Sequence, residues 1–415
     1  MRVPPPSGTH RTGTGAWRRR LSRAGTVAGL AAALLATAAA PAHADRIRTQ
    51  QWQLTALHAS AAWRYGSGAG VIVAVLDSGV DARHPDLVGQ VLPGADFVDG
   101  STDGRTDPVG HGTTVAALIA GRGDDAAGVE GLAPQARILP VRVLDRQNRY
   151  ADAAVVAHGV RWAVDHGARV INLSLGGGTR SAVLALALGY AAAHDVVVVA
   201  CTGNTTTDAT VTPQVWYPAR EPGVVAVAGL TPTRAGPAAP LTAWSGSLTG
   251  PATVLSAPAA VLTGARPGGY WQVQGTSFAA PLVAATAALV RGYRPDLDAA
   301  NVVNRLIRTG TDLGPPGRDG SYGYGEVDPV AALTAAVPPV TANPLLDVPG
   351  PVAGEAQQAT ASGGGGPVPT VQVAVPADRG RRSALLPPAW TWWLAGGVAM
   401  LGAALALRRR TVPAR

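Results

Sequence analysis

The sequence predicts an α/β fold with a doubly wound parallel sheet, and three observations carry that prediction. Strand-length and helix-length runs alternate from residue 71 to residue 230, the βα order that gives parallel strands joined by helical crossovers. The strand runs are apolar throughout rather than alternating, as expected for strands covered on both faces. Chemistry-bearing residues such as Asp77 stand where strand runs end, which is where an open parallel sheet collects its functional groups.

Taken in order, residues 1–44 read as an export signal. Arg18-Arg19-Arg20 and Arg23 precede an uncharged run from Ala24 to Ala40, and Ala42-His43-Ala44 offers a small-x-small cleavage site. Residues 45–70 are polar with apolar anchors at Trp52, Leu54, Leu57 and Trp63. Strands are expected at 71–77, 137–145, 169–176, 196–204 and 223–230. Helices are expected at 111–121, 151–167 and 181–195, and one from about Gly275 to Gly292. The expected body is 45–337. Residues 338–388 hold ten Pro and seven Gly, so a third of that segment breaks helix and strand, and it reads as a flexible linker. Residues 389–407 carry no charge over 19 positions, enough to span a membrane. Trp390, Trp392 and Trp393 suit one interface, and Arg408-Arg409-Arg410, in the tail 408–415, suits the cytoplasmic side. The expected topology is a single-pass membrane protein with an extracytoplasmic body and a cytoplasmic C-terminus.

The chain has no lysine, and ten of its 34 basic residues lie in segments 1–44 and 408–415, which contain no acid. The net charge of +8 therefore belongs to the ends, and the body between them is slightly acidic. A phosphate-binding surface, and with it nucleic acid as a partner, is excluded on that distribution. The single cysteine, Cys201, forbids an internal disulfide and lies in an apolar run where a small buried residue is expected.

Within this frame Gln274-Gly275-Thr276-Ser277-Phe278-Ala279-Ala280-Pro281 is a glycine-led entry into a helix. A serine in such a first turn has unpaired N–H groups beside it, which favour a developing negative oxygen. Alone, the serine is more often an ordinary cap. Asp77 alone reads as a turn former, and His111 alone as a surface or capping histidine. Together the order Asp77, His111, Ser277 is one of the chain orders in which an acid, a base and a nucleophile recur. Ser277 would attack a carbonyl, His111 would carry the proton, and Asp77 would orient the imidazole. Asn204, after the strand run and the turn Cys201-Thr202-Gly203, could donate its amide to the oxyanion.

Asp77-Ser78-Gly79, His111-Gly112-Thr113 and Gly275-Thr276-Ser277-Phe278-Ala279-Ala280-Pro281 resemble the three motifs of the subtilisin-like (S8) serine proteases. Ser174-Leu175-Gly176 is similar to that family's substrate-binding strand, and the Asn204 turn to its oxyanion site. The resemblance runs from about Trp52 to Ala336 and implies a subtilisin-like body that cleaves protein or peptide substrates through Asp77, His111 and Ser277. With an export signal, a proline-rich linker and an apolar C-terminal segment, the chain further resembles the mycosins, membrane-anchored proteases of type VII secretion systems. That likeness implies a membrane and a secretion complex as partners. It departs at one point, since mycosins commonly carry disulfides and this chain has one cysteine. Asp86 and the loop 123–126 resemble places where relatives hold calcium; loop carboxylates are commonly just solvated, and no metal or other cofactor is assigned. Two other functions remain open on the sequence: a structural component that stabilises the secretion complex, and a general secreted degradative protease.

Overall fold

The computed structural model describes residues 46–123, 128–205, 214–234, 239–265, 269–346 and 371–375. Three short helices open the body: α1 (Arg46–Thr49), α2 (Trp52–Ala56) and α3 (Ala59–Ala62). The central elements follow as β1 (Ile72–Asp77), β2 (Ala95–Asp96), α4 (His111–Ala120), β3 (Arg137–Arg142), α5 (Ala153–Asp165), β4 (Val170–Leu173), α6 (Ala182–Ala193), β5 (Val197–Cys201) and β6 (Val225–Pro232). Beyond them lie β7 (Leu241–Ala243), β8 (Leu255–Pro258), β9 (Ala260–Ala265), β10 (Gly269–Gln274), α7 (Thr276–Tyr293), α8 (Ala299–Arg308), α9 (Pro329–Thr334) and β11 (Val371–Val375).

The main sheet has eight strands in the order β2-β3-β1-β4-β5-β6-β7, with β8 also on β6. All its pairings are parallel except β6 with β7. From β1 the chain runs to β2 and β3 on one side of it, then crosses to β4 on its other side. The carboxyl end of β1 is therefore the switch point where a crevice opens, and Asp77 is its last residue. The expected α/β parallel architecture is present in this body. The strands are buried on both faces, including Val73, Val75, Ile171, Leu173, Val199 and Val225, which is why their sequences read as unbroken apolar runs.

Two helices run through the interior. Every residue of α4 is buried, and α7 is buried from Thr276 to Arg291. Its many alanines, all buried, keep α7 slim where it packs against the sheet. Surface helices begin on acceptor caps: Asp152 receives Ala154 N–H, Asp298 receives Asn301 N–H and Asp328 receives Ala331 N–H, each worth about 1 kcal/mol.

The body reaches further than residue 337. Asn304 Nδ2 donates to Pro338 O at 2.9 Å, Asn301 brackets Val340 through both its amide atoms, and Leu345 is buried. Within the segment expected to be linker, β11 pairs antiparallel with β10, Val371 opposite Gln274 and Val375 opposite Tyr270. β10 in turn forms a hairpin with β9, held to the N-terminal helices by Trp52 Nε1–H on Ala260 O and a Gln53 Nε2–H on Leu262 O, both at 2.7 Å. Among the described residues no helix is long and apolar enough to cross a membrane. The segments expected to be export signal (1–44) and membrane span (389–407) lie outside the described residues.

Candidate active site

Asp77 ends β1 and His111 opens α4, 34 residues later in the chain and adjacent in space. His111 Nδ1–H donates to Asp77 Oδ1 at 2.7 Å. The close approach demands glycine at position 112: a Cβ there would stand 2.1 Å from Gly79 O and 3.0 Å from Asp77 Cβ. Asp77 Oδ1 also receives Ser78 N–H at 2.7 Å. The carboxylate is thus fixed by its own chain before it touches the imidazole.

His111 and Asp77 are both buried. Burial opposes a charged imidazole, but the charge and hydrogen bond of Asp77, with a smaller contribution from Asp107, outweigh it and hold the His111 pKa above its ordinary value. Nδ1 is tied to Asp77, while Nε2 is buried and has no hydrogen-bond partner among the described residues. It is the free basic nitrogen.

Ser277 occupies the first turn of α7, and the ring of Phe278 lies 5.5 Å from that of His111, centroid to centroid. The α4 and α7 entries are therefore neighbours. Pro281, inside α7, cannot donate to Ser277 O as a helix requires. Ser174 Oγ–H takes that place at 2.7 Å, itself receiving Asn172 Nδ2–H at 2.9 Å. Ser277 Oγ–H points back to Ser174 O at 3.3 Å. A proline in the Ser277 helix and a serine beyond β4 are coupled in this way, a link invisible in either motif alone.

Asn204 follows β5. Its Oδ1 accepts Thr276 N–H at 3.0 Å and Thr276 Oγ1–H at 2.9 Å. The backbone donor fixes which amide atom is oxygen. Nδ2 is consequently aimed elsewhere: it is buried without an acceptor among the described residues and lies close to Gly275. An amide donor locked in orientation and left unpaired beside a nucleophile fits a developing oxyanion.

Asp107, which the sequence reading missed, is fully buried four residues before His111. Its Oδ1 accepts Ser78 Oγ–H at 2.9 Å, Val109 N–H at 3.0 Å and Gly110 N–H at 2.7 Å. Its Oδ2 accepts Thr113 N–H and Thr113 Oγ1–H at 2.9 and 2.6 Å. Burial pushes this carboxyl up, with Asp77 adding to it, while Gly110 and Thr113 pull it down. The only sequence signal was an acid just ahead of a helix start, which reads as an ordinary cap.

Ser174, Leu175 and Gly176 continue β4 past its last paired residue toward the same crevice; Leu175 O faces Cys201 Sγ at 3.8 Å. Cys201 lies beneath the site, and burial pushes its thiol up to about 11. Among the described residues no group of three or more His, Cys, Asp or Glu is placed to hold a metal ion. Asp86 is buried, its Oδ2 accepting Val129 N–H at 2.9 Å, a structural use; residues 124–127 of the neighbouring loop lie outside the described residues.

The structure joins His111 to Asp77, Ser174 to Ser277 and Asn204 to Thr276, and sets the Phe278 ring beside that of His111, while Ser277 Oγ bonds to Ser174 O rather than to the imidazole. The profile of the subtilase family, Peptidase_S8, matches residues 68–325. Fervidolysin of Fervidobacterium pennivorans is 35% identical over 321 residues, covering 71% of this chain and 45% of that protein. Subtilisin E of Bacillus subtilis is 36% identical over 261 residues, covering 63% of this chain and 64% of that one. The chain thus spans about half to two thirds of the length of these relatives. Among solved structures, MycP1 without its N-terminal propeptide aligns with TM-score 0.60 and 31% identity, over 69% of this chain and 98% of that one. MycP3, a protease from the type VII (ESX-3) secretion system, aligns with TM-score 0.58 and 34% identity, over 69% of this chain and 88% of that one. On sequence profile, identity and fold alike, the chain belongs to the subtilase (peptidase S8) family.

Proposed function

We propose that this protein is a serine endopeptidase that acts outside the cytoplasm, anchored to the membrane by residues 389–407 and working with a type VII secretion system. The observation that carries the catalytic part is the Asn204 side chain, whose oxygen is occupied by Thr276 and whose Nδ2 is free at the entry of the Ser277 helix.

In this reading His111 Nε2 takes the proton of Ser277 Oγ as that oxygen turns from Ser174 O and bonds to the carbonyl carbon. Asn204 Nδ2–H and the Ser277 N–H, which has no acceptor within its helix turn, bind the oxyanion. The imidazolium is held by Asp77. It passes the proton to the leaving amine as the C–N bond breaks, and water repeats the sequence to release the acyl group. Residues 174–176 supply the edge along which an extended substrate aligns by main-chain hydrogen bonds. The likeness to MycP1 and MycP3 supports the secretion-system assignment, and the uncharged run at 389–407 supports the anchor. Protein-substrate cleavage by full-length protein and by its Ser277→Ala variant tests the chemistry. Equal residual cleavage in the two would contradict it. Sedimentation with membranes, lost on removing residues 389–415, tests the anchor.

A further inference from the structure

Beside the nucleophile, the chain lines one recess with a residue that no motif accounts for. β4 and β5 are hydrogen-bonded neighbours up to the pair Leu173 and Ala200. Past that pair the segments 174–176 and 202–204 separate. The gap is bridged from below by residues 216–217: Trp216 N–H donates to Thr202 O, and Tyr217 and Gly177 exchange both main-chain hydrogen bonds, all at 2.9 Å. Trp216 is thereby pinned between the two lips.

The lips are glycines at the points of contact. A Cβ on Gly203, whose φ is +100°, would stand 2.3 Å from Trp216 Cδ2; a Cβ on Gly176 would stand 3.2 Å from Trp216 Cβ. The indole thus lies against both backbones. It is only half-buried, and the two backbones it lies against are the walls of the recess. A substrate with its carbonyl carbon at Ser277 Oγ, its oxygen at Asn204 Nδ2 and its backbone along 174–176 has one direction left for the side chain on the attacked residue. That direction is into the gap between 174–176 and 202–204, where the indole stands.

We propose that Trp216 sets the depth of this side-chain recess, so that the protease takes polypeptides with glycine, alanine or serine at the attacked carbonyl and rejects aromatic and long aliphatic residues there. The proposal rests on the protease reading and adds the substrate class to it.

The test uses the purified full-length protein and peptides that differ only at the residue before the cut: alanine, leucine or phenylalanine. Wild type should favour alanine over phenylalanine in kcat/KM by about tenfold or more, the scale on which pockets discriminate by size. Trp216→Gly should raise phenylalanine relative to alanine by at least about tenfold, and Trp216→Phe, which keeps a ring in the gap, should admit leucine first. If both variants stay fully reactive toward a serine-directed phosphonate and keep the wild-type preference, the proposal is overturned. A wild type that cleaves after phenylalanine as fast as after alanine overturns it alone. A folded wild type that neither cleaves any peptide nor reacts with the phosphonate overturns the protease reading, and this proposal with it.

Discussion

The hydroxyl of Ser78 stands 2.9 Å from Oδ1 of Asp107, and that contact joins two buried carboxylates into one network behind His111. Asp77 meets the imidazole directly. Asp107 acts through Ser78 and through the first turn of α4, where it receives the N–H groups of Gly110 and Thr113. It also adds negative charge that favours the imidazolium.

Asp107→Asn should therefore shift the acid limb of kcat/KM to lower pH, because losing that charge lowers a raised His111 pKa. Ser78→Ala, which keeps the charge and removes the hydroxyl, should move the limb less. A pH–rate profile of each decides the matter. A lowered Tm for Asp107→Asn with an unmoved limb would reduce Asp107 to a helix cap.

Asn204→Ala should lower kcat by about 10²–10³ with little change in KM, the size measured for the equivalent kind of donor in subtilisin. Asn204→Asp should be at least as damaging. It offers an acceptor where the amide Nδ2 now lies. Steady-state kinetics on one peptide, with Thr276→Ala as a control for the contact that orients the amide, checks both.

Glu326 is a half-buried acid whose pKa is pushed up to about 7, by burial first and then by Asp328. A carboxyl raised in the folded state keeps its proton longer than the unfolded chain does. Stability is therefore lost as pH rises from about 4.5 to about 7 and stays lower above that. Glu326→Gln should stabilise the protein by about 1–3 kcal/mol near pH 8, allowing for partial solvent contact, and by little near pH 5. Denaturant unfolding at the two pH values measures it.

The Cys201 thiol, raised to about 11 and fully buried, should resist iodoacetamide in the native protein near pH 8 and react completely once unfolded. Native labelling as fast as that of a free thiol would mean the crevice floor opens readily.

How much of this could be read from the residues varies with the range of the interaction. The strands around Asp77, Leu173 and Ala200 announce themselves because burial on both faces makes them apolar throughout. Strand ends were read too long, as at 196–204 against Val197–Cys201, because turn residues after a buried strand are also apolar or small. β7 through β10 were not foreseen. Their runs are short, glycine- and proline-broken, and partly half-buried, so no period stands out. The candidate catalytic residues Asp77, His111 and Ser277 are legible as motifs. Their support was not: Asp107 depends on Ser78 being folded beside it, Ser174 on a carbonyl released by Pro281, and Trp216 on two glycines far apart in the chain.

The central claim is that Ser277 is an activated nucleophile served by His111. Reaction of the folded protein with a serine-directed fluorophosphonate, read by mass spectrometry of its peptides, tests it most directly. One adduct on Ser277, lost in Ser277→Ala and strongly slowed in His111→Ala, is the predicted result. A folded protein that takes no adduct at Ser277, or takes it equally fast without the imidazole, would contradict the account.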